Sequence, residues 1–192
     1  ISTGASTENG DHIVGSTGDD TILFDVPPGT DGPGFFLDYD SIGAPVTFDI
    51  DGVTNTGTIS SAGFVDTLQN VDAALGQYLG LEGTSGADTY IIRLTTGQVA
   101  ALIGGPGADV YTVDAGAGLP ILDFLFSDVT AGLELDFATG VVANDGFGNV
   151  ETITFTTTPE LTVPLAPDLN DLVSDGAGAP PVRPSDGYPL FL

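Results

Sequence analysis

Residues 83–91, GTSGADTYI, and 104–112, GGPGADVYT, spell the same nine-residue phrase, and the reading of that phrase decides the fold. Both fit G-x-x-G-x-D-x-U-x, where U is a large apolar residue. Two further copies lie near the start of the chain, back to back: STENGDHIV at 6–14 and GSTGDDTIL at 15–23. The earliest is degraded, with Ser6 and Asn9 in the glycine places. Aligned at nine, the copies superpose Asp11, Asp20, Asp88 and Asp109 at the sixth position, and Ile13, Ile22, Tyr90 and Tyr111 at the eighth. A fixed short period of this kind is the signature of a stacked repeat architecture, in which each unit buries its apolar face only against its neighbours.

A longer repeat is laid over the short one. GSTGDDTILFD at 15–25 corresponds to GGPGADVYTVD at 104–114, FFLDYD at 35–40 to PILDFL at 120–125, VTFDIDG at 46–52 to LELDFATG at 133–140, and VDTLQNV at 65–71 to VETITF at 150–155. The four matches keep their order. The chain therefore reads as two tandem copies of one unit, 1–94 and 95–163, followed by a Pro/Gly-rich tail, 164–192. PVTFDI, GTIS, DTLQNV, DTYIIRL, DVYTVD, LELDF and ETITFTT are short runs rich in Val, Ile, Thr, Phe and Tyr between Gly, Asp or Asn, which is the pattern of strands between tight turns. Helical turns are expected only in Val71–Gly80 and Gly97–Ile103. The expected class is all-β, a parallel β-solenoid.

Composition narrows the chemistry. The chain has 192 residues, 41% of them apolar, with 28 glycines and 13 prolines, so it can build a packed core with many turns. It has no Cys, which excludes disulfide frameworks and thiolate metal sites. Against 27 acidic residues stand only Arg93 and Arg183, a formal charge of −25. Nucleic acid and anionic membrane surfaces are poor partners for such a chain, because both need a positive patch. The acids are mostly Asp beside Gly, whereas a merely soluble surface uses Glu freely. Short-armed Asp in glycine turns suits oxygen ligation of a hard cation, and calcium takes six to eight oxygens, more than one turn can offer. Stacked turns can share an ion. Asp88 and Asp109, one coil apart, are the first candidate ligands, followed by Asp20 and Asp11.

The phrases GSTGDDTIL, GTSGADTYI and GGPGADVYT resemble the hemolysin-type calcium-binding repeat of RTX (repeats-in-toxin) proteins. The resemblance implies a right-handed parallel β-roll with Ca²⁺ in the turns and export from a bacterial cell. This chain departs from the family in carrying one tandem pair and two isolated copies in place of a long uninterrupted block. The function expected on this basis is non-enzymatic: an extracellular structural or adhesive module, a building block of a cell-surface layer, matrix fibre or filament, whose partners are calcium, surface or matrix components and further copies of itself. The rival expectation is a non-catalytic RTX module of a secreted protease, lipase or epimerase. His12 falls at a variable repeat position and is expected at the surface. Asp19 and Asn9 are expected to face solvent, and Asp38, Asp40, Asp49 and Asp51 to be strand-end acids. Phe35, Phe36, Phe124 and Phe126 are expected in the core, with one of the adjacent Phe35–Phe36 pair turned outward.

Overall fold

The computed structural model describes residues 11–26, 34–122 and 141–156, together with the backbone of short strands at 2–3, 134–136, 162–163, 172–174 and 190–191. The expectations for Asn9, Phe124 and Phe126 fall outside the described residues. The chain is all-β, as its composition requires, with one short helix among the described residues, α1 (Val71–Leu75). No described helix is long and apolar enough to cross a membrane.

The strands fall into two sheets. The larger holds β1 (Ser2–Thr3), β3 (Thr21–Phe24), β5 (Thr47–Asp51), β6 (Thr56–Ser61), β7 (Phe64–Gln69), β9 (Thr89–Arg93), β11 (Val110–Asp114), β13 (Glu134–Asp136), β14 (Val141–Asn144), β15 (Glu151–Phe155) and β17 (Leu172–Ser174). The smaller holds β2 (Asp11–Val14), β4 (Phe35–Asp38), β8 (Leu79–Glu82), β10 (Val99–Ile103), β12 (Leu119–Leu122), β16 (Thr162–Val163) and β18 (Leu190–Phe191). From β2 to β5, and again from β8 to β12, consecutive strands alternate between the sheets. In the smaller sheet β2, β4, β8, β10, β12 and β16 lie side by side in chain order, every pair parallel. Only β18 runs antiparallel, on β16.

The larger sheet is mixed. Parallel pairs β5–β9, β9–β11 and β11–β15 stand beside the antiparallel meanders β5–β6–β7 and β13–β14–β15. The meanders are insertions that the short repeat does not announce. Gly63, at φ 116°, makes the tight turn from β6 to β7, a conformation that costs a side-chain-bearing residue dearly. The strand order of the larger sheet also repeats. It reads β3-β7-β6-β5-β9 and then β11-β15-β14-β13-β17, so each sequence match of the long repeat lands on equivalent places. Two segments of the Pro/Gly-rich stretch beyond residue 164, β17 and β18, add a strand to each sheet.

The expected helical turn at Gly97–Ile103 is instead strand β10, because its neighbours β8 and β12 pair with it on both edges. Ala100, Ala101 and Leu102 are all buried, and an apolar run without alternation cannot be told from a helix by period. The Val71–Gly80 expectation is met by α1, which starts after Asn70 in the left-handed region at φ 60°.

One core lies between the sheets. Inward residues of the larger sheet, among them Ile22, Phe24, Phe48 and Tyr90, share a cluster with Phe35, Leu37, Leu81 and Leu102 of the smaller. Phe24 and Phe35 meet edge-on across the sheets, ring centroids 5.0 Å apart. Along the larger sheet Phe48, Tyr90 and Tyr111 stack face to face, each step 4.8 Å, which is the spacing of neighbouring strands. Phe36 is the outward member of its pair. It lies half-buried over Gly80 and edge-on to His12, and a Cβ at Gly80 would fall 2.5 Å from its ring. Replacing Phe48 by Ala removes the end ring of the stack and leaves a cavity in the core. We expect a loss of about 3–5 kcal/mol in urea unfolding, with the larger effect if the hole cannot collapse.

Candidate functional site

The four repeat acids occupy two kinds of place. Asp11 begins β2 in the smaller sheet and is partly exposed, whereas Asp20, Asp88 and Asp109 each immediately precede a strand of the larger sheet. Asp88 and Asp109 are fully buried and come together on adjacent strands. Asp11 and Asp20, on different sheets, do not share their stack.

What joins them is a relay of carboxylates and amides. The Val46 N–H donates to Asp88 Oδ1 at 2.6 Å, and the Asp88 N–H donates to Asp109 Oδ1 at 2.7 Å. On the other side of the sheet the Asp20 N–H donates to Asp66 Oδ1 at 2.8 Å. The remaining oxygen of Asp66 accepts the hydroxyl of buried Tyr39 at 2.5 Å. Asp88 is further satisfied by its own turn, through the Thr84 N–H at 2.5 Å and the Thr84 hydroxyl at 3.1 Å. Asp88 thus closes its own turn, while Asp88, Asp109 and Asp66 each accept from the turn one strand away.

The glycines of the phrase follow from this. A Cβ at Gly83 would meet Asp88 Oδ2 and the Tyr90 hydroxyl, and one at Gly104 would meet Asp109 and Tyr111. A Cβ at Gly107 would run into the Gly86 carbonyl of the turn below. Positive φ is needed only at Gly105, at 80°. Gly83, Gly104 and Gly107 are therefore there because neighbouring oxygens fill the volume of a side chain, not because the backbone is left-handed.

Two residues of this site escaped the sequence reading. Asp66 and Glu151 precede Thr67 and Thr152 as Asp20 and Asp88 precede Thr21 and Thr89, and an acid followed by Thr in a strand-forming run was the available signal. The Thr152 N–H donates to the Asp109 carbonyl, as the Val110 N–H does to that of Asp88, so Glu151 stands next in the same file. Here satisfaction stops. Asp109 Oδ2 and Glu151 Oε2 are buried without a hydrogen-bond partner. Buried Asp145 lies close enough for its charge to act on both, though its own carboxylate closes a loop through the Phe147 and Asn149 N–H groups at 2.8 and 2.9 Å. Burial, aided by the charges of Asp88 and Asp145, raises the Asp109 carboxyl to about 7. Burial and the charges of Asp109 and Asp145 raise Glu151 to about 9. Burial also raises Asp88, against the lowering donors Val46 and Thr84.

Two orphaned carboxylate oxygens beside a third acid suit a positive charge or a proton. Among the described residues no group of three His, Cys, Asp or Glu side chains is assembled for metal ligation. Elsewhere, His12 is exposed and 3.0 Å from Asp38, Asp19 is exposed with its Oδ1 accepting the Val65 N–H, and Asp51 is paired with Arg93. A groove of about 780 Å³ on the outer face of the larger sheet is lined by Asp49, Asp51, Asn55, Gln69 and Arg93, among others.

The folded protein holds protons on Asp109 and Glu151 to higher pH than the unfolded chain does. Their contribution to stability is therefore complete below the ordinary carboxyl range and is lost as pH rises through about 7 and then about 9. In chelator at constant ionic strength, the melting temperature is expected to fall between about pH 5 and about pH 9, and Glu151→Gln to flatten that fall. A profile that rises over this range in the parent chain contradicts the assignment.

No family model matches the chain, and neither does any curated protein or solved structure.

Proposed function

We propose that the chain is a calcium-stabilised β-solenoid of two tandem units that serves outside the cell as a structural or adhesive module. The observation that carries the reading is the file of buried acids ending in two unpartnered oxygens, Asp109 Oδ2 and Glu151 Oε2. Strands that alternate between two sheets, parallel and in chain order in the smaller one, support the winding. The recurrence of β3-β7-β6-β5-β9 as β11-β15-β14-β13-β17 supports the two units.

Asp109 and Glu151, whose Oδ2 and Oε2 are unpartnered, are the residues that would hold the ion. Calcium supplies there the positive charge that buried carboxylates otherwise lack. The chain's own part is positional. Asp88 orients Asp109 through its N–H, Gly104 and Gly107 leave room for the oxygens, and the stacked Tyr90 and Tyr111 exclude water from beneath the turns. In a protein of charge −25, self-repulsion opposes compaction, so an ion bound only by the folded form adds stability where divalent cations abound. Extracellular sites of this class need affinities of only about 10⁻⁴–10⁻³ M. Lack of cysteine and the shortage of basic residues fit a solvated surface role better than one on nucleic acid.

The test is thermal unfolding followed by circular dichroism in EGTA and in millimolar calcium, with magnesium at matched ionic strength as control. At a hundredfold excess over Kd one site contributes about 2.7 kcal/mol, and the melting temperature should rise by several degrees. The Asp109→Asn/Glu151→Gln double variant should lose the calcium increment yet remain folded, since each amide keeps the shape of the carboxyl group it replaces. An equal rise in magnesium, or none in calcium, rejects the calcium reading.

A further inference from the structure

At each end of the strand array one place of the internal interface is filled by a substitute and the other is open among the described strands. Inside the chain, β9 pairs in parallel with β11, and β8 with β10, where the first unit meets the second. By the repeated strand order, β17 is the counterpart of β9, and β3 of β11. Among the described strands β17 pairs only with β13, so its outer edge stands where a β11-like strand belongs. At the opposite end the inner place beside β3 is held by the two-residue β1, with Ser2 opposite Leu23. The smaller sheet repeats the situation. There β16 corresponds to β8 and β2 to β10, yet the place beside β16 is taken by β18, which runs antiparallel with Phe191 opposite Thr162. Among the described strands the first of that sheet, β2, pairs only with β4.

We propose that a second copy of this chain completes both interfaces head to tail, β17 pairing with β3 of the next copy and β16 with its β2, while β1 and β18 are displaced. This rests on the structural-module reading above and specifies its partner and register. The register follows from the internal copy. Thr89 faces Val110 inside the chain, and Leu172 and Thr21 are their counterparts, so Ser174 of one copy should face Leu23 of the next. In the smaller sheet Ala101 faces Gly80, which places Thr162 opposite the next copy's His12. Ser174 thus competes with Ser2 for Leu23, and His12 competes with Phe191 for Thr162. Parallel pairing satisfies a row of edge amides and carbonyls that otherwise face water, and unblocked edges of this type add strands readily. Each plug is a two-residue strand, and β18 also runs antiparallel in a sheet that is otherwise parallel.

Because the protein has no cysteine, disulfide trapping reads the register directly. Mixed single variants Ser174→Cys and Leu23→Cys are oxidised at concentrations where the chain associates, with Ser174→Cys and Thr67→Cys as the out-of-register control. Neighbouring parallel strands bring Cα atoms within disulfide range, roughly 4.4–6.8 Å, and a strand one place further on does not. The in-register pair should cross-link at least tenfold more than the control. Deleting residues 1–3 and 190–192 together should raise its yield several-fold, since both plugs are gone. Equal yields from the two pairs, or a monomer by sedimentation in the deletion variant while circular dichroism shows it folded, overturn the proposal. Melting with and without calcium on the same samples separates the two readings. In-register cross-linking without calcium dependence removes the calcium claim alone, and calcium stabilisation without in-register cross-linking removes this one alone.

Discussion

A carboxylate buried at the mouth of a turn can be kept only if donors surround it, and in this protein the donors are amides of the next turn along the sheet. Asp88 accepts from Val46, Asp109 from Asp88, and Asp66 from Asp20. Hydrogen bonds to charged groups are worth about 1.5–3 kcal/mol net, and breaking one here leaves both a buried acid and a buried amide without a partner. The relay therefore ties together the turns of neighbouring strands. It also dictates local sequence. Gly83 and Gly104 must lack side chains because the carboxylate and tyrosine hydroxyl of the same turn occupy that volume.

Beneath the acids the apolar ladder does complementary work. The Phe48, Tyr90 and Tyr111 rings repeat at the spacing of the strands, so the same period is written twice, once in oxygens and once in rings. The Tyr90 hydroxyl reaches the Ile103 carbonyl at 2.7 Å, tying the ladder to the smaller sheet. The file ends at Glu151, one methylene longer than its predecessors and lacking the donor that each Asp enjoys. That is where the response to pH concentrates.

The duplicated strand order gives the fold a direction. Within the chain the end of one unit is already the docking surface for the start of the next, and the terminal strands β1 and β18 are shorter and less regular than the strands whose places they hold. Assembly by repetition of an internal interface requires no new surface chemistry, which matters in a chain whose charge makes chance association unfavourable.

The nonapeptide phrase was enough to place Asp20, Asp88 and Asp109 at equivalent turns and Ile22, Tyr90 and Tyr111 in the core, because its period equals that of the strands it builds. Strands of the larger sheet were legible for a second reason: one face is solvated, so Thr and Asp alternate with Ile, Tyr and Phe. The smaller sheet was not. In β8 and β10 Gly80 and Ala101 are buried along with their neighbours, and a run such as VAALI carries no alternation to read. The amides that each acid accepts from on the next strand were equally hidden, since those bonds join residues from 21 to 46 positions apart. Sequence by itself determined the all-β class, the repeat period and the acidic turns, which are local properties of spacing and residue type. Only tertiary structure decided that Asp88 is fully hydrogen-bonded while Asp109 and Glu151 are not, because satisfaction of a buried charge depends on which distant amide the packing brings to it.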